Sequence, residues 1–195
     1  MRTVTYGGAC SLDGFLGTPD GGVDWLHFSK DVQQIMKSFW DGVDTMLMGR
    51  KTWEAVGQSA RGKGGGMPGV SGYVFSRTLR EITVPGVTLV TSDAGEFVRE
   101  LKQQPGGKIC VMGGGDLARS LFAAGVIDEV GLNVHPVLLG AGIPTFRDAG
   151  RRIHLELTET RAIDGGCVYM NYRVQSAASA GAPRRTSRSA KARKS

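Results

Sequence analysis

Three successive glycines, Gly113, Gly114 and Gly115, stand between the apolar run Lys108 to Met112 and a segment carrying Leu117, Leu121, Phe122 and Ala124 at helical spacing. A glycine turn between strand and helix lets a ligand approach the backbone, because no side chain intervenes. The unpaired N–H groups and positive dipole end of the following helix then favour an anion, phosphate above all. A tight connection without a ligand has the same composition, so both readings stand at this point. Cations occur in a second stretch, Gly49-Arg50-Lys51-Thr52, directly after the apolar run Thr45 to Met48. Cationic side chains and helix N-termini together suit a ligand with several phosphate charges. Arg50 alone reads equally well as a solvated surface residue.

Other patterns fail on context. Gly64-x-Gly66-x-x-Gly69 spells a dinucleotide fingerprint but follows no strand and opens no helix. Gly113-x-Gly115-x-x-Ala118 has the strand and the helix, yet Asp128 and Glu129 come too early for a ribose-binding acid. The Gly49 block lacks the spacing of a Walker loop. His27, His135 and His154 lie in unrelated segments, so no metal ligand set is expected, and no Ser/His/Asp arrangement can be assembled. Cys10, Cys110 and Cys167 have neither metal spacing nor an even count, which favours reduced thiols in the cytoplasm.

The elements that must hold these residues alternate. Strands are expected over Arg2 to Ala9, Thr45 to Met48, Tyr73 to Ser76, Val87 to Thr91 and Glu129 to Val134, with His135-Pro136 ending the last. Helices are expected behind the N-cap Ser29, where Val32, Ile35, Met36, Phe39 and Trp40 share a face, from Arg50 to about Val56, and from Ala94 to Gln104. Ser11 to Asp24 and Gly57 to Gly72 read as glycine-rich loops. Ile153 to Arg161 and Val168 to Val174 alternate around the turn Asp164-Gly165-Gly166 and read as a hairpin. The expected fold is α/β, a largely parallel sheet with helices on both faces and an antiparallel C-terminal edge.

The 195 residues carry a net charge of +6, but the charge is unevenly placed. From Ser176 onward there are six bases and no acid, so of 24 Lys and Arg the body keeps 18, equal to its 18 Asp and Glu. A neutral body argues against a nucleic-acid-binding face on the fold, leaving only a basic tail to attract RNA weakly. That tail has no aromatic residue with which to order itself. Residues 1–175 therefore read as one domain and 176–195 as a disordered basic appendage. No apolar run approaches the roughly 20 residues of a membrane span.

Three blocks in order complete the pattern: Ala9-Cys-Ser-Leu-Asp-Gly-Phe-Leu-Gly17 leading to Asp24-Trp25, Asp44-Thr-Met-Leu-Met-Gly-Arg-Lys-Thr-Trp-Glu54, and Val111-Met-Gly-Gly-Gly-Asp-Leu117. Together they resemble the dihydrofolate-reductase-like three-layer fold, and are most similar to stand-alone relatives of the riboflavin-biosynthesis reductase domain. The similarity spans about Met1 to Gln175. It implies an NADPH-dependent reductase in which Gly49, Arg50, Lys51 and Thr52 hold phosphates. It also implies that Ser76 and Arg77 lie near the adenosine 2′-phosphate, and that Gly113, Gly114, Gly115, Asp116 and Leu117 line the pyrophosphate and ribose. Ala9, Leu16 and Gly17 would border the nicotinamide, with Asp13 shaping the loop, Trp25 closing it, and Ser11 to Asp24 acting as a mobile lid. Relatives are often dimers, and the closing hairpin offers a pairing edge.

The chain departs from the folate reducers at one position. Counting from the loop tryptophan to their substrate-binding acid reaches Lys30, and the acid here is the next residue, Asp31. Asp31 is the candidate proton donor, with a bound water as the alternative, and it also reads as a first-turn charge suited to the helix dipole. The implied substrate is a small pteridine-, flavin- or aminopyrimidine-like heterocycle, or a carbonyl or imine. A nucleotide- or flavin-binding module without turnover is the rival reading.

Overall fold

The computed structural model describes residues 1–59 and 68–175. The basic tail, and Gly64 and Gly66 of the false fingerprint, lie outside the described residues. The chain opens with β1 (Val4–Ser11) and a short β2 (Phe15–Gly17), then α1 (Lys30–Trp40), β3 (Val43–Gly49) and α2 (Arg50–Ser59). Next come β4 (Ser71–Phe75), β5 (Val87–Val90), α3 (Ala94–Gln103), β6 (Lys108–Met112), α4 (Asp116–Ala124) and β7 (Glu129–His135). A two-residue β8 (Ile143–Pro144) and the hairpin of β9 (Leu155–Ile163) and β10 (Cys167–Val174) complete the order.

Eight strands form one sheet in the order β5-β4-β3-β6-β1-β7-β10-β9, and β2 pairs with β8 outside it. Every pairing from β5 to β7 is parallel; β10 runs antiparallel to both β7 and β9. The expected mostly parallel sheet with an antiparallel C-terminal hairpin is thus the observed one. Its inner strands bury both faces, which is why they are apolar runs rather than alternating ones. On β3, Leu47 joins Val4, Tyr6, Ile109 and Val111 against Leu101 of α3 and Leu121 of α4. Met46 and Met48 face the opposite way, toward Trp40 of α1 and Trp53 of α2. Helices therefore cover both faces, giving three layers.

Two ion-pair clusters fasten the amino ends of the parallel strands. Arg2, 8% exposed, donates from Nε to the Gly107 carbonyl (2.8 Å), from Nη2 to Thr45 Oγ1 (2.6 Å) and to Asp44. Asp44 also accepts from the Gly107 N–H (2.5 Å). Partial burial pushes the Asp44 carboxyl up, but the Gly107 and Thr45 hydrogen bonds and the Arg2 charge leave it below the ordinary carboxylate value. Lys102 of α3, also 8% exposed, reaches Asp128 (2.6 Å) and the Val126 carbonyl (3.2 Å), and Asp128 accepts from the Val4 N–H (2.9 Å). Buried charges need such complete hydrogen bonding to be tolerated.

Several expected boundaries move. The stretch 57–72 is not loop at its ends: α2 continues to Ser59 and β4 begins at Ser71. A helix tolerates one glycine at a cost of about 1 kcal/mol, so Gly57 does not stop it. Ser11 belongs to β1, and the loop that follows contains β2, anchored by β8. Strands of two and three residues are too short to show alternation in sequence. His135 is the last residue of β7 rather than its breaker, because its ring is buried. On the outer hairpin Leu155, Leu157 and Val168 share one sheet face and are 40%, 44% and 37% exposed.

Candidate coenzyme and substrate site

Because β1, β3, β4 and β6 are parallel, their carboxyl ends reach the same edge of the sheet. Met48 lies beside Met112, and Gly49 beside Phe75, so α2 and the glycine turn leave the sheet side by side. In open α/β sheets ligands bind outside this edge.

The three glycines meet different demands. Gly113 has φ +80°, and a Cβ there would lie 2.2 Å from Thr52 Oγ1, so the Thr52 side chain rests on the bare α-carbon. A Cβ at Gly114 would lie 2.6 Å from Leu16 Cδ1 and 2.7 Å from the Pro144 carbonyl oxygen. Gly115 is the N-cap of α4, with φ 75° and no side-chain capping bond. The first N–H groups of α4 consequently have no internal partner, as at any helix start. Three stretches far apart in sequence, around Leu16, Thr52 and Gly113–Gly114, are in contact here.

Cations follow the strands that end at this edge. Arg50 opens α2 and bonds Glu54, one turn on, through Nη1 at 2.9 Å to each carboxylate oxygen. The pair is more than one-third exposed on both sides, so it contributes only about 0.3–0.5 kcal/mol. Lys51 and Arg77 are exposed. Arg147, which the sequence did not single out, has Nε 3.7 Å from where a Gly115 Cβ would be. Ser76 is turned to its own loop, its Oγ accepting from the N–H groups of Thr78 (3.1 Å) and Leu79 (3.0 Å). Asp116 is exposed beside Arg119 (3.9 Å), whereas the Leu117 side chain joins the core, leaving only its backbone toward the turn.

On the other side of β1, Ala9 is half-buried and pairs with Asn133 of β7. Gly17 is buried, its carbonyl oxygen 2.1 Å from where a Gly142 Cβ would stand. Asp13 accepts from the Ser11 hydroxyl (2.6 Å) and from the N–H groups of Gly140 (2.8 Å) and Leu139 (3.2 Å). The Ser11 hydrogen bond, more than any other effect, holds its carboxyl below the ordinary value. The segment expected to act as a lid is thus fastened at its base.

Asp31 is exposed on α1, and its Oδ2 accepts from the Asp164 N–H (3.2 Å) in the hairpin turn. Among the described residues no hydrogen bond or ion pair joins it to the glycine turn. Trp25 instead packs edge-on against His135, with ring centroids 5.4 Å apart. His135 is 2% exposed; its Nδ1 faces the His27 N–H (3.3 Å) and Cys167 Sγ (3.4 Å), and its Nε2 faces the Asn133 amide (3.0 Å). Burial, and then the nearby His27, push the His135 pKa down, while burial raises that of Cys167. Both groups are neutral, so this is no thiolate–imidazolium nucleophile. The sequence signal for this cluster was Asn133 and His135, spaced by two in a strand whose other residues after Glu129 carry no polar side chain. Among the described residues no group of three or more His, Cys, Asp or Glu could hold a metal ion.

A family model for the RibD C-terminal domain matches residues 2–169. The chain belongs to the RibD C-terminal domain family. The curated relative YyaP of Bacillus subtilis, described as an uncharacterized protein, is 34% identical over 181 residues, covering 88% of this chain and 95% of the relative. The crystal structure of a putative riboflavin biosynthesis protein from Shewanella sp. PV-4 superposes with TM-score 0.78 at 22% identity, covering 90% of this chain and all of that one. Dihydrofolate reductase from Enterococcus faecalis, complexed with NADP(H) and RAB-propyl, superposes with TM-score 0.65 at 16% identity, over 89% of this chain and 97% of that one. This RibD C-terminal domain therefore has a dihydrofolate-reductase-like, reductase-type fold. No helix among the described residues is long and apolar enough to cross a membrane.

Proposed function

We propose that this RibD C-terminal domain is an NADPH-dependent oxidoreductase that reduces a small pyrimidine-, pteridine- or flavin-like heterocycle, or a related carbonyl or imine. The observation that carries this reading is the glycine turn: its bare α-carbons and uncapped helix N-terminus lie beside Thr52 and Arg147, with Arg50 opening the neighbouring helix α2. That donor set fits a polyphosphorylated ligand. Gly113, Gly114, Gly115, Asp116 and the Leu117 backbone would hold the pyrophosphate and ribose, with Gly49, Arg50, Lys51 and Thr52 holding phosphate. Arg77, beside Ser76 at the end of β4, would meet the 2′-phosphate. When bound, NADPH supplies a hydride from its nicotinamide ring.

The chain's own part is positioning and exclusion of water. Ala9, Leu16 and Gly17 would form the floor beneath the nicotinamide, and Trp25 and Asp13 would shape the wall that closes over the substrate. Asp31 is the nearest equivalent of an acidic proton donor, but its carboxylate already accepts a backbone hydrogen bond. A water molecule is therefore the better proton source. That same engagement of Asp31 favours the second reading, a nucleotide- or flavin-binding module without turnover.

Three buried free cysteines suit a reducing, cytoplasmic compartment. The exposed apolar face of Leu155, Leu157 and Val168, at the outer edge of the sheet, suits pairing with a second copy of the chain.

The test is a titration of the full-length protein with NADPH and NADH, followed by tryptophan emission. Saturable quenching by NADPH below about 1 mM, weaker for NADH and weakened by Arg77→Ala, is the expected result. Absence of saturation removes the coenzyme reading. Saturation without NADPH oxidation across pterins, flavins and aminopyrimidines favours the binding module.

A further inference from the structure

The amino rim of the sheet, opposite the glycine turn, holds a polar cavity of its own. Phe39 of α1 lies over the bare α-carbons of the cross-strand pair Gly7 and Gly131, where a Cβ would be 3.3 Å and 3.9 Å from its Cε2. Beside that ring, between the last turns of α1 and the hairpin, is a space of about 190 Å³, room for about six waters. Most charges around it are already engaged. Glu159 binds Arg161 (2.9 Å), whose guanidinium lies 5.5 Å from the centre of the Tyr169 ring, and Lys108 bonds the Asp41 carbonyl (3.3 Å). Burial, followed by Glu159, raises the Tyr169 phenol above its ordinary value, so it adds no charge.

Two acceptors are left over. The half-buried Glu129 carboxylate receives the Thr5 hydroxyl (3.2 Å) but, among the described residues, no cation. Its cross-strand neighbour Arg173 turns instead to Glu156 (3.4 Å). Asn171 adds a buried amide oxygen that has no partner among the described residues. A carboxylate and a carbonyl oxygen short of donors suit a planar cation with several N–H groups. The aliphatic stem of such a side chain suits Ile35 and Phe39, which line the α1 wall.

The chain carries such a group close by. β10 runs from Arg173, beside Glu129, to Gln175, whose N–H bonds the His154 carbonyl (2.9 Å). The tail of six bases and no acid therefore departs from this same rim. Arg184 follows nine residues beyond Gln175, a span of up to about 30 Å, against a strand spacing of about 5 Å. A tether of that length holds a guanidinium near the cavity at about millimolar effective concentration. We infer that the Glu129 carboxylate and the Asn171 amide oxygen form a guanidinium site whose occupant is the Arg184-Arg185 pair of the chain's own tail. The tail then acts as a latch between α1 and the hairpin, and the cavity accounts for a basic segment that the reductase reading leaves without a role.

The experiment uses 15N-labelled full-length protein without coenzyme or substrate, so its outcome is independent of the reductase reading. Arg184→Gln with Arg185→Gln, which alters no described residue, is expected to shift the Thr5 and Glu129 backbone amides and the Asn171 side-chain amide. The charge-matched pair Arg188→Gln with Lys191→Gln is expected to leave those resonances in place. Glu129→Gln is expected to move the Arg184 and Arg185 Nε–H resonances to the positions of exposed arginines; the tail variants carry the test if it does not fold. Ethylguanidinium is the probe for an outside source. It is expected to bind Arg184→Gln/Arg185→Gln about tenfold tighter than the wild type, where the tail competes. Unmoved cavity resonances in that variant, the same shifts from the charge-matched pair, unmoved arginine resonances in a folded Glu129→Gln, or no binding of the probe each overturns the inference. Equal probe affinity for the two proteins also overturns it, and would mean that the cavity takes a free guanidinium compound rather than the tail.

Discussion

The two sides of β1 are built by different means. Toward β6 and β3, the candidate coenzyme region is made of backbone: three glycines, two helix starts and exposed arginines. Toward β7 and β10, the candidate substrate region is made of buried side chains, Trp25, Asn133, His135 and Cys167, each positioned by the others. A backbone-built region fails when a side chain is added, and a side-chain-built region fails when a hydrogen-bonding atom is exchanged. That contrast sets where substitutions act.

The largest effect is expected at Gly113. Valine there would meet both a positive φ and the Thr52 side chain, so Gly113→Val should lose about 3 kcal/mol of stability in urea unfolding and lose NADPH binding. Gly115→Ala has strain but no close neighbour other than Arg147, and should lose about 1 kcal/mol while weakening NADPH. Equal losses at the two positions would mean that contact with Thr52 does not define the turn.

A second prediction concerns the outer hairpin, far from either region. Leu157→Glu should convert a dimer to a monomer in analytical ultracentrifugation, with melting temperature reflecting only lost association. An unchanged sedimentation coefficient would remove this face as the pairing surface.

The third separates the two sides by pH. The His135 pKa is lowered in the folded state, so the unfolded chain takes up a proton that the folded chain refuses. Stability from this group is full above the ordinary histidine value of 6.5 and declines as pH falls below it. His135→Gln should flatten that part of the profile, whereas Gly115→Ala should leave its slope intact. The slope is measured by chemical denaturation from pH 7.5 down to about 5.

The smallest effect is expected at Glu54. Glu54→Gln removes the carboxylate that competes for Arg50, and should tighten NADPH by no more than about two- to threefold, the worth of an exposed pair. A large loss of NADPH affinity would instead mean that Glu54 orients Arg50.

The same contrast governs what could be read from the chain alone. Gly113 to Leu117 and Gly49 to Thr52 are contiguous, their strands and helices follow directly, and local chemistry marked both as candidates. Arg147 escaped notice because it reaches Gly115 from across the fold. The His135 cluster draws on residues 25, 27, 133, 135 and 167, which meet only because β10 returns antiparallel beside β7. No local window contains that information; at most, Asn133 and His135 hinted at polar groups facing inward. Asp31 shows the reverse case. It lies one residue past the position that spacing from Trp25 reaches, and in the fold its carboxylate accepts from the hairpin turn.

The clamp of Arg2, Asp44 and Gly107 has a mechanical corollary. It joins the amino ends of β1, β3 and β6 at the rim opposite the glycine turn, so these strands cannot spread like a fan to admit a bulky guest. Room must come instead from loops at the far rim. Amide exchange should accordingly be slowest near Thr45 and Ile109 and quickest around residues 18–28, with a hinge, if any, lying just beyond the point where Asp13 is tied to Gly140.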